Sequence, residues 1–149
     1  MNAIGKVARL PQADRLLLVE ALSAVMIARV GLLFLPLSAV RRIVRGMLRA
    51  GAALPPKERR PWDRIVWAVS AAGRWSPVGT TCLASALAGQ ALLDRHGHSV
   101  RLRIGVKRDE SGAFAAHAWL EHEGQVILGG PVETIGTYTT LPEWEHLIV

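Results

Sequence analysis

The sequence predicts an α+β fold in which helices come first and a small antiparallel sheet comes after them. Apolar side chains recur every three or four residues up to about position 95, and from position 100 they alternate with polar ones. The first spacing is typical of a helix with one buried face, and the second is typical of a strand with one buried face. Helices and strands that are segregated along a chain in this way indicate an α+β protein.

The composition fits one compact domain with a strongly apolar portion. The chain has 149 residues, of which half are apolar and a fifth are charged. This length suits a single domain, and the apolar fraction excludes a disordered chain. Eighteen Lys and Arg against twelve Asp and Glu give a net charge of +6. Such a charge favours an acidic peptide, an anionic membrane or nucleic acid as partner, and charge alone does not choose among them. Our expectation is a protein with no nucleic-acid partner.

Residues 1–50 are predicted to form an N-terminal helical segment. A first helix runs from Ala13 to about Ala28, Pro36 ends the apolar stretch after it, and Ser38 caps a second helix. The second helix is amphipathic, with an apolar stripe opposite a row of arginines. We expect the segment to pack on the core or on a partner, and we expect any contact with a membrane surface to lie within residues 16–49.

The apolar stretch at 16–40 is not interpreted as a membrane span. Glu20 and Arg29 interrupt it, and a charged side chain at the centre of a span costs about 2.5 to 3.5 kcal/mol. No small-residue cleavage site comes cleanly after the stretch, as a secretory signal would require. A helical subdomain is therefore the preferred interpretation.

The core of the protein is predicted to occupy residues 62–149. A loop at 51–61, which contains Pro55 and Pro56, separates it from the N-terminal segment. A third helix begins with Trp62 and is predicted to end at Gly73.

Cys82, the one cysteine of the chain, is predicted to open a fourth helix. Residues 74–81 form a turn-rich loop, Thr80 or Thr81 is a natural N-cap, and helical spacing continues to about Arg95. A thiol in the first turn of a helix lies near unpaired backbone N–H groups, which stabilise a thiolate. A lone cysteine is more often an inert apolar residue, but this loop and helix start favour a nucleophile.

A single cysteine also excludes an internal disulfide and a multi-cysteine zinc site. A free thiol suits a reducing compartment, so we expect a cytoplasmic protein. His96, His98 and His122 do not have the spacing of known zinc motifs. We therefore expect no metal and no other cofactor.

His117 is the candidate base. Three strands are predicted, at 100–107, 113–122 and 125–128, and His117 is the one histidine inside a predicted strand. Imidazole takes and returns a proton near neutral pH, and the helix of Cys82 can cover this strand. A strand histidine is also commonly a structural residue, and spacing along the chain does not prove contact with Cys82.

The partner that orients the imidazole is harder to place. If residues 123–124 form a two-residue turn, His117 stands opposite Gly130, and Trp119 stands opposite Leu128. No carboxylate is present at these positions, although a third residue commonly orients a catalytic histidine.

Glu133, just downstream, is therefore the candidate third member, with a backbone carbonyl as the alternative. Trp75 and Trp119 are candidate substrate-binding residues that wall the site, and core packing is an equally good interpretation of both.

Three runs of sequence resemble one family when they are taken together. TCLASAL at 81–87, LRIGV at 102–106 and AHAWLE at 116–121 are similar to the transglutaminase-like leader peptidases of lasso-peptide biosynthesis, over about residues 75–141. The resemblance implies a papain/transglutaminase-like core with a Cys-His-Asp site, in which Cys82 and His117 match the motif. The family often has an aspartate about a dozen residues after the histidine, where this chain has Gly129 and Gly130.

The resemblance also implies a function and partners. It indicates a cysteine peptidase that removes the leader from a lasso-peptide precursor, together with a small leader-recognition protein and an ATP-dependent cyclase. The same thiol chemistry would serve an acyl transferase, in which an amine attacks the thioester in place of water. A non-catalytic basic protein that binds a membrane surface or a peptide is the third alternative.

Overall fold

The computed structural model describes residues 3–49, 54–76 and 81–141. The helices are α1 (Ala3–Ala8), α2 (Gln12–Phe34), α3 (Leu37–Arg49), α4 (Trp62–Trp75), α5 (Cys82–Arg95) and α6 (Val132–Ile135). The strands are β1 (Arg101–Arg108), β2 (Phe114–His122), β3 (Gln125–Leu128) and β4 (Thr139–Thr140). The predicted α+β fold is confirmed, with one antiparallel sheet in the order β3-β2-β1-β4.

Helix α5 is the centre of the molecule. Most of its residues are buried, and it packs against α2, α3 and α4 as well as against β1 and β2. Small side chains let neighbours approach closely: a Cβ added at Gly89 would lie 2.9 Å from a methyl carbon of Leu120. A single aliphatic core therefore surrounds α5 and joins the helices to one face of the sheet.

Helix α2 packs its inner face on α4 and α5. Near its start, the buried carboxylate of Asp14 forms ion pairs with Arg60 and Arg64, which lie beside and within α4. The first described residues thus share the core of the rest of the chain. Among the described helices, α2 is the one long and apolar enough to cross a membrane, and a third of its most apolar window is buried.

Helices α2 and α4 both extend further than predicted. The first runs on to Phe34, until Pro36 removes a backbone donor. The predicted end of α4 at Gly73 is wrong, because the helix continues to Trp75. Glycine weakens a helix interior by only about 1 kcal/mol, which packing of the rest of the helix outweighs.

The β2–β3 hairpin has the predicted turn but not the predicted register. Glu123 and Gly124 both have positive φ, at 51° and 79°, which suits a two-residue turn. His122 pairs with Gln125 as expected, but a bulge comes next, and Leu128 pairs with Leu120. The predicted pairing of Leu128 with Trp119 is therefore wrong by one residue, because a bulge adds a residue to one strand.

Candidate active site

Cys82 is the first residue of α5, where the prediction placed it. The Oγ1 of Thr81 accepts a hydrogen bond of 3.1 Å from the backbone N–H of Ala84, which caps the helix. The thiol is half-buried and packs against the aliphatic core. It is therefore held in place while part of its surface stays accessible.

Helix α5 and strand β2 run in the same direction. Gly89 meets Leu120 in the middle of both elements, and beyond the end of the helix the rings of His98 and His122 lie 6.1 Å apart. Cys82 comes seven residues before Gly89, which is about 10 Å along a helix. His117, three residues before Leu120, is about 10 Å back along a strand. Cys82 and His117 therefore lie at the same end of the helix–sheet layer.

At the end of the layer where Cys82 and His117 lie, helix α5 no longer covers β2. Alternation along the strand directs Ala118 and Leu120 towards α5, and both are buried. Ala116 and Phe114 continue the same face and are exposed. An uncovered piece of strand therefore lies beside the start of α5.

His117 points to the other face of the sheet. Its ring lies 5.4 Å from the ring of Tyr138 and 6.1 Å from that of Trp119, which stacks on it. Its Nε2 lies 2.5 Å from the carbonyl oxygen of Gly129. A carbonyl only accepts hydrogen bonds, so Nε2 carries the proton and Nδ1 keeps the lone pair of a base.

No hydrogen bond joins Cys82 to His117 within the ranges that the structure describes. The two side chains share an end of the molecule, but the imidazole is held on its own face by the carbonyl of Gly129. Proton transfer from the thiol would require Nδ1 to come within reach of Sγ.

We call the side of the sheet on which His117 and Trp119 lie the histidine face. Two glycines allow this face to form. A Cβ at Gly129 would lie 2.5 Å from the Cβ of Trp119, and its φ of +119° suits glycine alone. A Cβ at Gly105 would lie 2.7 Å from the Cβ of Tyr138. The backbone thus passes close to Trp119 and brings the carbonyl of Gly129 to the imidazole.

The other predicted site residues lie apart from one another. Trp75, at the end of α4, is 40% exposed and lines a cavity of about 450 Å³. Trp119 is only 2% exposed, and its Nε1 donates to Glu121 over 3.0 Å. Glu133 is exposed on α6 and makes no described contact with His117.

Sequence reasoning missed the contribution of Tyr138 and Gly129. Tyr138 lies just before β4, a strand of two residues whose pattern is too short to detect. The predicted register puts Gly130 opposite His117, whereas the bulge brings Gly129 beside Trp119, and it is the side chain of His117 that reaches the carbonyl of Gly129. A pair of consecutive glycines after a strand was the one available signal of an unusual backbone path.

A second histidine cluster lies at the opposite end of α5. Nδ1 of His96 accepts a hydrogen bond of 2.9 Å from the backbone N–H of Arg60, whose carbonyl oxygen lies 2.7 Å from Nε2 of His98. Burial, and after it the positive charge of Arg95, lowers the pKa of His96 to about 4. In the described part of the chain no group of three His, Cys, Asp or Glu side chains is placed to hold a metal. The histidines join α5 to the segment before α4.

The comparisons with known proteins give one match. The family model described as Transglutaminase-like superfamily matches residues 18–143. It takes in α2 and α3 as well as α5 and the sheet. A comparison with curated proteins and one with solved structures find no match. This superfamily includes cysteine proteases, and its presence here points to thiol chemistry of the protease or acyl-transfer type. Because the match spans most of the sequence, the chain belongs to the transglutaminase-like superfamily.

Proposed function

We propose that this protein is a cysteine peptidase that removes the leader from a lasso-peptide precursor through a thioester at Cys82. The observation that carries the proposal is a half-buried thiol on the first residue of a capped central helix. That thiol lies at the same end of the helix–sheet layer as an imidazole with a basic Nδ1. The resemblance of the surrounding sequence to the leader peptidases supplies the substrate class.

In the reaction, Nδ1 of His117 takes the thiol proton as Sγ of Cys82 attacks the carbonyl carbon at the leader–core junction. The same imidazolium then gives its proton to the departing amine of the core peptide. Water attacks the thioester, with His117 again as base, and releases the leader carboxylate. The hydrogen bond from Nε2 to the carbonyl of Gly129 leaves Nδ1 as the basic nitrogen, and proton transfer requires Nδ1 and Sγ to approach each other from the positions described above.

The oxyanion of each tetrahedral intermediate would lie near the start of α5. The backbone N–H groups of the first helical turn have no partners within the helix and point towards its N-terminus. The N–H of Ala84 is used by the Thr81 cap. The N–H of Cys82 is therefore the donor we assign to the oxyanion.

An extended peptide has a place to lie beside the thiol. Ala116 and Phe114 are exposed on the face of β2 that α5 no longer covers. The cavity at Trp75 is also lined by Trp67, Lys6 and Arg74. Its two cations suit an acidic segment of a leader, and its two indoles suit an apolar side chain.

Recognition of the leader is assigned to a separate small protein, and ring closure to an ATP-dependent cyclase. The described residues form one core, and none of them makes a second folded module that could bind a leader. The cytoplasm, where a thiol stays reduced and precursors are made, is the proposed location.

The test is cleavage of the precursor peptide encoded beside the gene, with the two partner proteins present. Wild-type protein and Cys82→Ala are incubated with the precursor, and the products are identified by mass spectrometry. We expect a free leader with a new carboxylate from the wild type and none from the variant. A leader joined to an added amine would identify an acyl transferase, and an uncut precursor would refute both activities.

A further inference from the structure

The outward face of α2 is apolar along its whole length. Its large exposed members lie in two groups, one near the start of the helix and one near its end, and together they extend over about 27 Å of helix. They are Leu16, Val19, Val30, Leu33 and Phe34, with exposed fractions of 57, 62, 41, 61 and 80%. Ser23, exposed between the two groups, donates its hydroxyl to the carbonyl of Val19 over 2.8 Å, so its proton is already bonded within the helix. We call these five residues the α2 stripe.

Helix α3 widens the α2 stripe into a surface. Ile43 and Met47, one turn apart, are 42% and 51% exposed. Between the two helices lies an open groove of about 400 Å³ whose lining is almost wholly apolar and includes Gly31 and Val40. Contiguous exposed apolar patches of this kind mark contact with another protein or with a membrane.

The charges around this surface are mostly positive, although Glu20 lines a groove with Val19 and Met47. Residues 21–57 contain no Asp or Glu, whereas 21–49 contain five arginines. Arg42, beside Ile43, is exposed. Arg45 lies 3.9 Å from Asp94, a carboxylate of α5 outside this surface. Residues 21–49 therefore carry five positive charges and no negative charge.

We propose that the α2–α3 face lies on the surface of an anionic bilayer. Helices that bind in the plane of the interface combine an apolar face with arginines and bulky apolar residues. Leu33 and Phe34, among the most exposed apolar residues of the chain, lie in the last turn of α2 and can enter the acyl boundary. A flat surface accommodates a stripe of about 27 Å without the shape match that a protein partner needs.

The packing of α2 favours a helix that lies on the membrane surface and does not span the bilayer. Its inner face is buried against α4 and α5, and Asp14 is tied to Arg60 and Arg64. A span would expose this face to lipid and break those ion pairs. Because α5 separates α2 from the sheet, a bilayer on the outer face leaves the thiol and the exposed end of β2 in water.

The test is co-sedimentation of the full chain with lipid vesicles. Vesicles of phosphatidylcholine alone are compared with vesicles of equal parts phosphatidylcholine and phosphatidylglycerol. We expect binding at least about tenfold tighter to the anionic vesicles, and release by high salt. Phe34→Glu and Arg42→Glu should each weaken that binding by about tenfold or more.

The matched controls are Phe114→Glu and Arg108→Glu. Phe114 is 72% exposed, and the guanidinium of Arg108 lies 4.7 Å from its ring centroid, so the pair has the same chemistry on a different surface. These variants should bind vesicles like the wild type. All four are monitored by circular dichroism, so that loss of fold is recognised.

Four results would overturn the proposal. Equal binding to both vesicle types would show that the arginines do not contribute to binding. No binding to either type would show that the α2–α3 face does not bind a bilayer. Binding that resists high salt and alkaline carbonate identifies α2 as a spanning helix. If Phe34→Glu and Arg42→Glu weaken binding of an acidic amphipathic peptide but leave vesicle binding unchanged, the surface belongs to a protein partner. None of these outcomes depends on whether the chain cleaves a precursor.

Discussion

The two faces of the sheet are built in different ways. On the α5 face, Leu102, Ala118 and Leu120 are buried in a continuous aliphatic core. On the other face, His117 and Trp119 lie beneath Tyr138 and a glycine backbone. The first face is specified by many interchangeable apolar contacts, which tolerate change as long as volume is kept. The second face depends on a few close approaches between atoms, and these do not tolerate a change of side chain.

The difference matters because the two candidate catalytic groups are held by different faces. Cys82 belongs to α5 and to the aliphatic core. His117 belongs to the second face, where its hydrogen bond is to the carbonyl of Gly129. A thiol enzyme requires the two faces to cooperate at the uncovered end of β2.

The largest effect should come from His117→Ala. We expect precursor cleavage to fall by about 10⁴-fold, because a catalytic unit loses most of its activity with any of its members. Alkylation of Cys82 by iodoacetamide near neutral pH should also slow, because the thiol loses the base that accepts its proton and less of the reactive thiolate forms. Cleavage is measured by mass spectrometry and alkylation by its rate constant.

His122→Ala is the control, because it removes another imidazole from β2 at the far end of the strand. It should leave both rates within about twofold of the wild type, as surface substitutions usually do. If His117→Ala leaves alkylation and cleavage unchanged, the two faces do not cooperate and Cys82 acts without this base.

Gly129→Ala should be the most damaging conservative change on the histidine face. A positive φ in a residue other than glycine costs about 1 to 3 kcal/mol, and overpacking a tight contact adds about 1 to 3 kcal/mol. We expect the free energy of unfolding, measured in urea, to fall by about 3 kcal/mol or more. Precursor cleavage should fall as well, because the carbonyl that orients His117 moves.

Gly130→Ala is the matched control. Gly130 also has a positive φ, of +107°, but an added Cβ would meet nothing within 4 Å. The free energy of unfolding of Gly130→Ala should fall only by the cost of a positive φ in a residue other than glycine, about 1 to 2 kcal/mol. Equal losses in the two variants would show that the approach to Trp119 contributes nothing to stability.

The same contrast explains what could be predicted from the sequence. The α5 face follows from periodicity, so Cys82 at a helix start and the bounds of β3 were both correct. The histidine face was not predictable in the same way. A bulge shifts the register without changing the apolar pattern, and it brings Gly129 beside Trp119, where the predicted register puts Leu128. Elements as short as α6 and β4 carry no periodicity at all.

Acid should loosen the end of α5 that lies away from the thiol. His96 is buried, and its pKa is lowered to about 4 from 6.5. As the pH falls below 6.5, the unfolded chain takes up this proton before the folded chain does, so stability falls until about pH 4. The loss is at most about 3 kcal/mol.

His96→Gln removes the titration and keeps a side-chain oxygen that can accept from the backbone N–H of Arg60. The free energy of unfolding of this variant, measured in urea at several pH values, should depend less on pH between 6.5 and 4 than that of the wild type. Identical pH profiles would mean that His96 does not control the acid response. In either case the start of α5 and its thiol should be unaffected at neutral pH.

The smallest effect should come from Glu133→Gln, which asks whether the histidine face needs a carboxylate. Glu133 is exposed on a single-turn helix, and the proton on Nε2 of His117 is already directed to the carbonyl of Gly129. We expect cleavage within about twofold of the wild type, like that of the exposed control Glu110→Gln. In enzymes that use a carboxylate to orient the histidine, its amide replacement lowers the rate by about 10⁴-fold. A fall of that size here would assign Glu133 as the third member. A rate close to that of the wild type instead fits a backbone carbonyl, which has no charge to lose and holds the imidazole by position alone.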